Sequence, residues 1–141
     1  MEYRRATAAD VPALAAMNRQ LIRDEGHRNP MTVAELADRM AGWLAGEYEA
    51  VLFEEGGSPV GYALYRRQPE YVYLRHLFVR PEDRRRGVGR AAVGWLRRHA
   101  WAGRRVRVEV LVGNAAGVAF WRAIGFADYG LTLELEPERA N

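Results

Sequence analysis

The chain has 141 residues and no cysteine, and every one of its twenty-one ordinary basic residues is arginine. Without cysteine there is no disulfide framework, thiolate-ligated zinc, iron–sulfur cluster or cysteine nucleophile. Without lysine there is neither Schiff-base chemistry nor a P-loop lysine. Histidine is scarce, at positions 27, 76 and 99 only, and supplies no metal-ligand spacing, so no metal is expected. Apolar runs fall short of a membrane span, and Met1–Arg5 leads into no signal-like apolar region, so a soluble cytoplasmic protein is expected. A net charge of +3 suits an anionic ligand but lacks the basic tail or stripe of a nucleic-acid binder.

What is present is a patterned single domain over 1–141, long enough to bury about 70% of the surface its unfolded chain exposes. Residues 2–7 read as a strand, and Thr7 with Asp10 can cap a helix over about 9–24 bearing Val11, Leu14, Met17, Leu21 and Ile22. Thr32 and Glu35 form a second capping signal before helix 33–45. Strands 49–54 and 59–67 flank the turn Glu55-Gly56-Gly57-Ser58, and strand 71–79 follows. A helix over 88–101, a strand at 106–112, a helix at 115–123 and a last strand at 126–135 complete the order. The class is α/β with a mixed sheet: hairpins are antiparallel, whereas the crossover from 71 to 112 should be parallel and right-handed.

The glycines of Arg84-Arg85-Arg86-Gly87-Val88-Gly89-Arg90 stand between a strand and a helix. Successive amides at such a turn make an anion receptor, reinforced by the helix dipole. The segment lacks G-x-G-x-x-G and G-K-[ST], which argues against NAD and ATP. VRPEDRRRGVGRAAVGWL resembles the acetyl-CoA-binding motif of the GNAT (GCN5-related) N-acetyltransferases. VEVLVGNAAGVAFWRAIGF resembles that family's strand, Asn, helix and closing Gly-Phe. The resemblance spans nearly the whole chain. It implies a mixed sheet of six or seven strands with about four helices, splayed where acetyl-CoA binds. It also implies that Arg84, Arg85, Arg86, Gly87, Val88, Gly89 and Arg90 cradle the pyrophosphate. Leu77, Phe78 and Val79 would offer backbone groups to the pantetheine and thioester, and Asn114 and Phe120 would border the same arm. Trp121 departs from the family, which often has Tyr there to protonate the departing thiolate.

Three residues are candidates for the chemistry. His76, on the cofactor-lining strand, has a side chain suited to a base near neutral pH. Glu109 shares a strand face with Arg107 and Leu111 and could bind or deprotonate an ammonium. Tyr129, on the last strand, is the substitute acid; each of the three also has an ordinary structural role open to it. The connection 24–30, with Asp24, Glu25, His27 and Arg28, is expected to overhang the acceptor. The implied activity is direct transfer of acetyl from acetyl-CoA to a primary amine, with a non-catalytic acyl-CoA sensor as the alternative. Leu131, Leu133 and Leu135 alternate on the last strand and suit inward packing or the sheet edge of a homodimer.

Overall fold

The computed structural model describes residues 1–140. In chain order it contains β1 (Glu2–Arg5), α1 (Val11–Glu25), α2 (Val33–Ala45), β2 (Tyr48–Glu55), β3 (Ser58–Arg67), β4 (Val72–Val79), α3 (Val88–His99), β5 (Val106–Val108) and α4 (Ala115–Ala123). Both capping pairs are formed. Asp10 accepts from the Thr7 amide at 2.8 Å on a short 3₁₀ turn that leads into α1. Thr32 and Glu35 exchange bonds of 2.9 and 3.2 Å at the start of α2.

The five strands lie in sequence order in one sheet; β1 to β4 pair antiparallel, and β5 pairs parallel to β4. Strand alternation sends Leu52, Tyr62, Leu64 and Phe78 to the face covered by Leu14, Met17 and Leu21 of α1 and Met40 of α2. The opposite face, with Phe53, Ala63, Val72 and Leu74, packs on Val88, Ala92, Val93 and Leu96 of α3 and Trp121 of α4. Each such buried aliphatic side chain is worth about 1.5–3 kcal/mol relative to exposure. The sheet is therefore fixed from both sides, and its irregularities are held in place by this packing.

Two irregularities matter for function. In β4, His76 pairs with Leu64 and Leu74 with Tyr65, which leaves Arg75 as the extra residue of a bulge. Only Val72–Leu74 of β4 pair with Val106–Val108 of β5. Beyond that point the two strands part, and the β4 edge from Arg75 to Val79 faces no strand.

The observed sheet thus has five strands rather than six or seven among the described residues. β5 is three residues long, not 106–112, because past Val108 the splay removes its ladder partner. Residues 126–135 form no strand, although their alternating pattern is intact. No strand of the same chain stands beside them to pair with.

Candidate functional site

The loop after β4 enters α3 through two left-handed residues, Arg85 at φ 62° and Gly87 at φ 75°. Gly87 adopts that conformation freely; Arg85 does so at a cost of about 1–2 kcal/mol. The Ala91 amide already bonds the Gly87 carbonyl at 3.0 Å. The amides of Val88, Gly89 and Arg90 are thus first-turn donors without intrahelical acceptors. No side chain caps them, and no acidic residue lies in the first turn. A helix start with free amides and no acidic neighbour in its first turn has the chemistry to receive an anion.

The arginines around it divide into two pairs. Arg84 turns back: its Nε donates to the Val79 carbonyl at 2.8 Å, and its Nη2 meets Asp24 at the end of α1. Arg86 is held by Asp83 at 2.7 Å and by Glu55 at 3.3 Å. Arg85 and Arg90 form no ion pair among the described residues and are exposed, leaving them for a mobile anion. Phosphate recognition by Arg84 and Arg86 would have to compete with carboxylates already in place.

Gly89 has a reason other than phosphate approach. A Cβ there would stand 3.1 Å from the Phe120 ring, so its missing side chain admits α4 against α3. Phe120 in turn meets Trp121 edge to face at 5.0 Å. Trp121 is buried between Phe120 and Phe126 and serves as core. Asn114 caps α4, its Oδ1 accepting from the Gly117 amide at 3.0 Å. Leu77 and Val79 pack toward α3 and α4, whereas Phe78 is buried toward α1 and α2. Their side chains are structural, and what they present to the splay is backbone.

The three chemical candidates do not converge. The His76 ring is largely buried; its Nδ1 lies 3.0 Å from the Tyr62 hydroxyl, and it meets Trp43 edge-on at 5.6 Å. Burial, aided by the charges of Arg75 and Arg39, pushes its pKa down to about 3. His76 is therefore a neutral imidazole at physiological pH, not a base tuned near 6.5. Glu109 is exposed beside the splay and accepts from the Tyr73 hydroxyl at 2.8 Å. Burial and that carboxylate push Tyr73 up to about 12. Tyr129, expected on a strand, is 81% exposed and lies 4.4 Å from the Arg107 guanidinium, which also stacks on Tyr71.

The connection after α1 is tied by one local ion pair and by two to distant segments. Glu25 meets His27 at 3.0 Å, and burial raises its pKa. Asp24 bonds Arg84, and Arg28 reaches Glu134 at 2.8 Å.

A further group was not singled out from the sequence. Arg39 and Arg75 lie over the Trp43 ring at 4.4 and 4.7 Å, and neither has a carboxylate partner among the described residues. Fully buried Asn18 accepts from Arg39 at 3.3 Å, while Asn18 Nδ2 and Arg39 Nε have no partner. The readable signal was Asn18 itself, a polar residue within the apolar stripe of α1.

A model described as the acetyltransferase (GNAT) family matches residues 14–126. Solved structures of similar fold include a mutant of the BH1408 protein from Bacillus halodurans: 20% identity, 98% of this chain and 100% of that one covered, TM-score 0.81. The aminoglycoside N-acetyltransferase AAC(6')-Iy in complex with CoA is 15% identical over 96% of this chain and 93% of its own, TM-score 0.77. A predicted acetyltransferase from Clostridium acetobutylicum, solved with acetyl-CoA, is 19% identical over 96% and 95%, TM-score 0.74. No curated protein matches the sequence. At these identities the structural likeness establishes the fold, with its splayed mixed sheet. No helix among the described residues is long and apolar enough to cross a membrane.

Proposed function

Because the chain belongs to the acetyltransferase (GNAT) family, we propose that it moves an acetyl group from acetyl-CoA directly to a primary amine of a small molecule or peptide. One observation carries this reading. The uncapped amides of α3 lie at the end of β4, whose edge from Arg75 to Val79 has no strand beside it. The residues present fit the cosubstrate: a pyrophosphate suits the α3 amides with Arg85 and Arg90, and a pantetheine amide suits an open strand edge.

When bound, acetyl-CoA supplies a thioester whose acyl carbon is open to a neutral amine. The chain's part is to hold the reactants together and to place a β4 amide where negative charge develops on the carbonyl oxygen. Glu109, oriented by Tyr73, is assigned to receive the ammonium proton, directly or through water. His76 is assigned a positioning role through Tyr62 and Trp43, since it takes no proton near neutral pH. With Trp121 in the core, the proton for the departing sulfur comes from solvent.

The test is thiol release from acetyl-CoA over a panel of amino acids, polyamines, aminoglycosides and peptides, corrected for hydrolysis. Amine-dependent release with at least one acceptor class is expected. Protein that binds acetyl-CoA in calorimetry but shows no amine-dependent release would favour a sensor and overturn the proposal.

A further inference from the structure

β4 changes character at Arg75. Val72 and Leu74 pack toward α3, so alternation sends Tyr73 to the face covered by α1 and α2. Arg75 is the bulge residue and the first position of β4 beyond its ladder with β5. Its guanidinium crosses to α2 and lies over Trp43 at 4.7 Å, and its Nη1 donates to the buried Tyr48 hydroxyl at 3.4 Å. Bulges commonly re-aim a side chain beside a site, and this one aims a cation at the mouth of the splay.

Arg39 reaches the same ring from one turn earlier in α2, at 4.4 Å. Two guanidiniums are thereby held on one indole, with no carboxylate among the described residues to offset them. Burial and the Arg75 charge lower the Arg39 pKa, as expected of a cation whose surroundings lack an anion. Stacking on Trp43 explains why one guanidinium sits there. It does not explain a second like charge on the same ring, which costs free energy. The polar groups beneath leave the deficit in place. Asn18, only 1% exposed, accepts from Arg39 Nη2, but its own Nδ2 and Arg39 Nε find no acceptor. The patch has donors and positive charge in excess; it lacks acceptors and negative charge.

This patch borders the reacting groups. Tyr73, two positions before Arg75, holds Glu109 at 2.8 Å, and two positions of a strand span about 7 Å. We propose that the acceptor is a small amine that also carries a carboxylate, an amino acid, whose carboxylate is received by Arg75 and Arg39 at Trp43. The assignment rests on acetyl transfer as the activity and narrows it to one acceptor class. A carboxylate only accepts hydrogen bonds, carries the missing charge and matches the guanidinium fork. The amine of the same molecule then lies toward Glu109. Polycations such as polyamines and aminoglycosides meet two uncompensated positive charges and are disfavoured.

Thiol release from acetyl-CoA with a panel of amino acids, each beside its own amide, tests this. The amide keeps the amine and the side chain and loses the negative charge. The best amino acid should exceed its amide in kcat/KM by about ten- to a hundred-fold, the range of a charge-assisted hydrogen-bonded pair. Arg75→Gln changes an exposed side chain and should shrink the ratio to within about three-fold, chiefly through KM. Arg75→Lys, which keeps the charge without the fork, should give an intermediate ratio. The ratio is internal to each variant, so any loss of folded protein cancels from it. A ratio that survives both Arg75→Gln and Arg39→Gln would overturn the inference while acetyl transfer stands. Amides, polyamines or aminoglycosides accepted as well as amino acids would do the same. If no amine is acetylated, the transfer activity fails, and calorimetry on CoA-saturated protein decides the anion site separately. The same amino acids should then bind the native chain at least about ten-fold more tightly than Arg75→Gln. No binding to the native chain, or equal binding to both, would overturn the inference.

Discussion

Phe120 occupies the space that a side chain at Gly89 would need: its ring carbons lie 3.1 and 3.2 Å from where a Cβ would stand. The second glycine of the motif is thus a packing residue joining α3 to α4. Gly89→Val should cost about 1–3 kcal/mol of stability by overpacking, and Phe120→Leu in the same chain should restore part of it. Urea unfolding of the two single variants and the double variant measures the recovery. Equal loss in Gly89→Val with and without Phe120→Leu would contradict this role.

Arginine substitutions should separate by their partners. Arg85→Ala and Arg90→Ala should each weaken CoA binding about two- to five-fold, the range of an exposed charge contact of roughly 0.5–1 kcal/mol. Arg86→Ala should weaken it less, because its guanidinium is held by Asp83 and Glu55. Calorimetric titration with CoA at two salt concentrations checks the order, and the differences should shrink as salt rises.

Acid stability should report His76. Its folded pKa of about 3 lies below the ordinary 6.5, so the unfolded chain takes up a proton that the folded chain excludes. The stabilisation is complete above pH 6.5 and is lost on acidification toward pH 3, at about 1.4 kcal/mol per pH unit. By pH 5 the loss should be about 2 kcal/mol. His76→Gln should flatten that slope, whatever it does to stability at pH 7. Urea midpoints at pH 7 and pH 5 for both proteins give the comparison.

Much of the architecture could be read from spacing alone. The capping pairs Thr7–Asp10 and Thr32–Glu35, the hairpin at Gly56-Gly57 and the β4–α3–β5 crossover are local signals, and local physics decides them. The last strand was misread because alternation at Leu131, Leu133 and Leu135 describes a strand's faces but not the existence of a neighbour. His76 was legible as a residue type, but its environment was not: Tyr62 comes from β3, Trp43 and Arg39 from α2, and Arg75 from the bulge of β4. The ion pairs of Arg84 and Arg86 were equally invisible, since their partners lie up to 60 positions away.

Turnover should depend on the pair at the splay more than on the other candidates. Glu109→Gln should lower kcat about 10²–10⁴-fold if the carboxylate takes the amine proton. Tyr73→Phe should lower it less, since it removes orientation and leaves the carboxylate. Tyr129→Phe should leave kcat within about three-fold, because the ring stacking on Arg107 survives loss of the hydroxyl. Steady-state rates with a fixed acceptor rank the three, and a thousand-fold loss in Tyr129→Phe would reverse the assignment.

Arg84 is shared between two parts of the molecule that have different duties. Its guanidinium reaches from the loop before α3 to Asp24, at the end of α1, where the connection to α2 begins. An anion that draws Arg84 into the cradle takes it from Asp24, and an acceptor amine that claims Asp24 releases Arg84. The two ligands then stand in thermodynamic linkage, each altering the other's affinity by the same factor. The ion pair therefore couples the two sites without dictating which ligand loads first, because the linkage is equal in both directions.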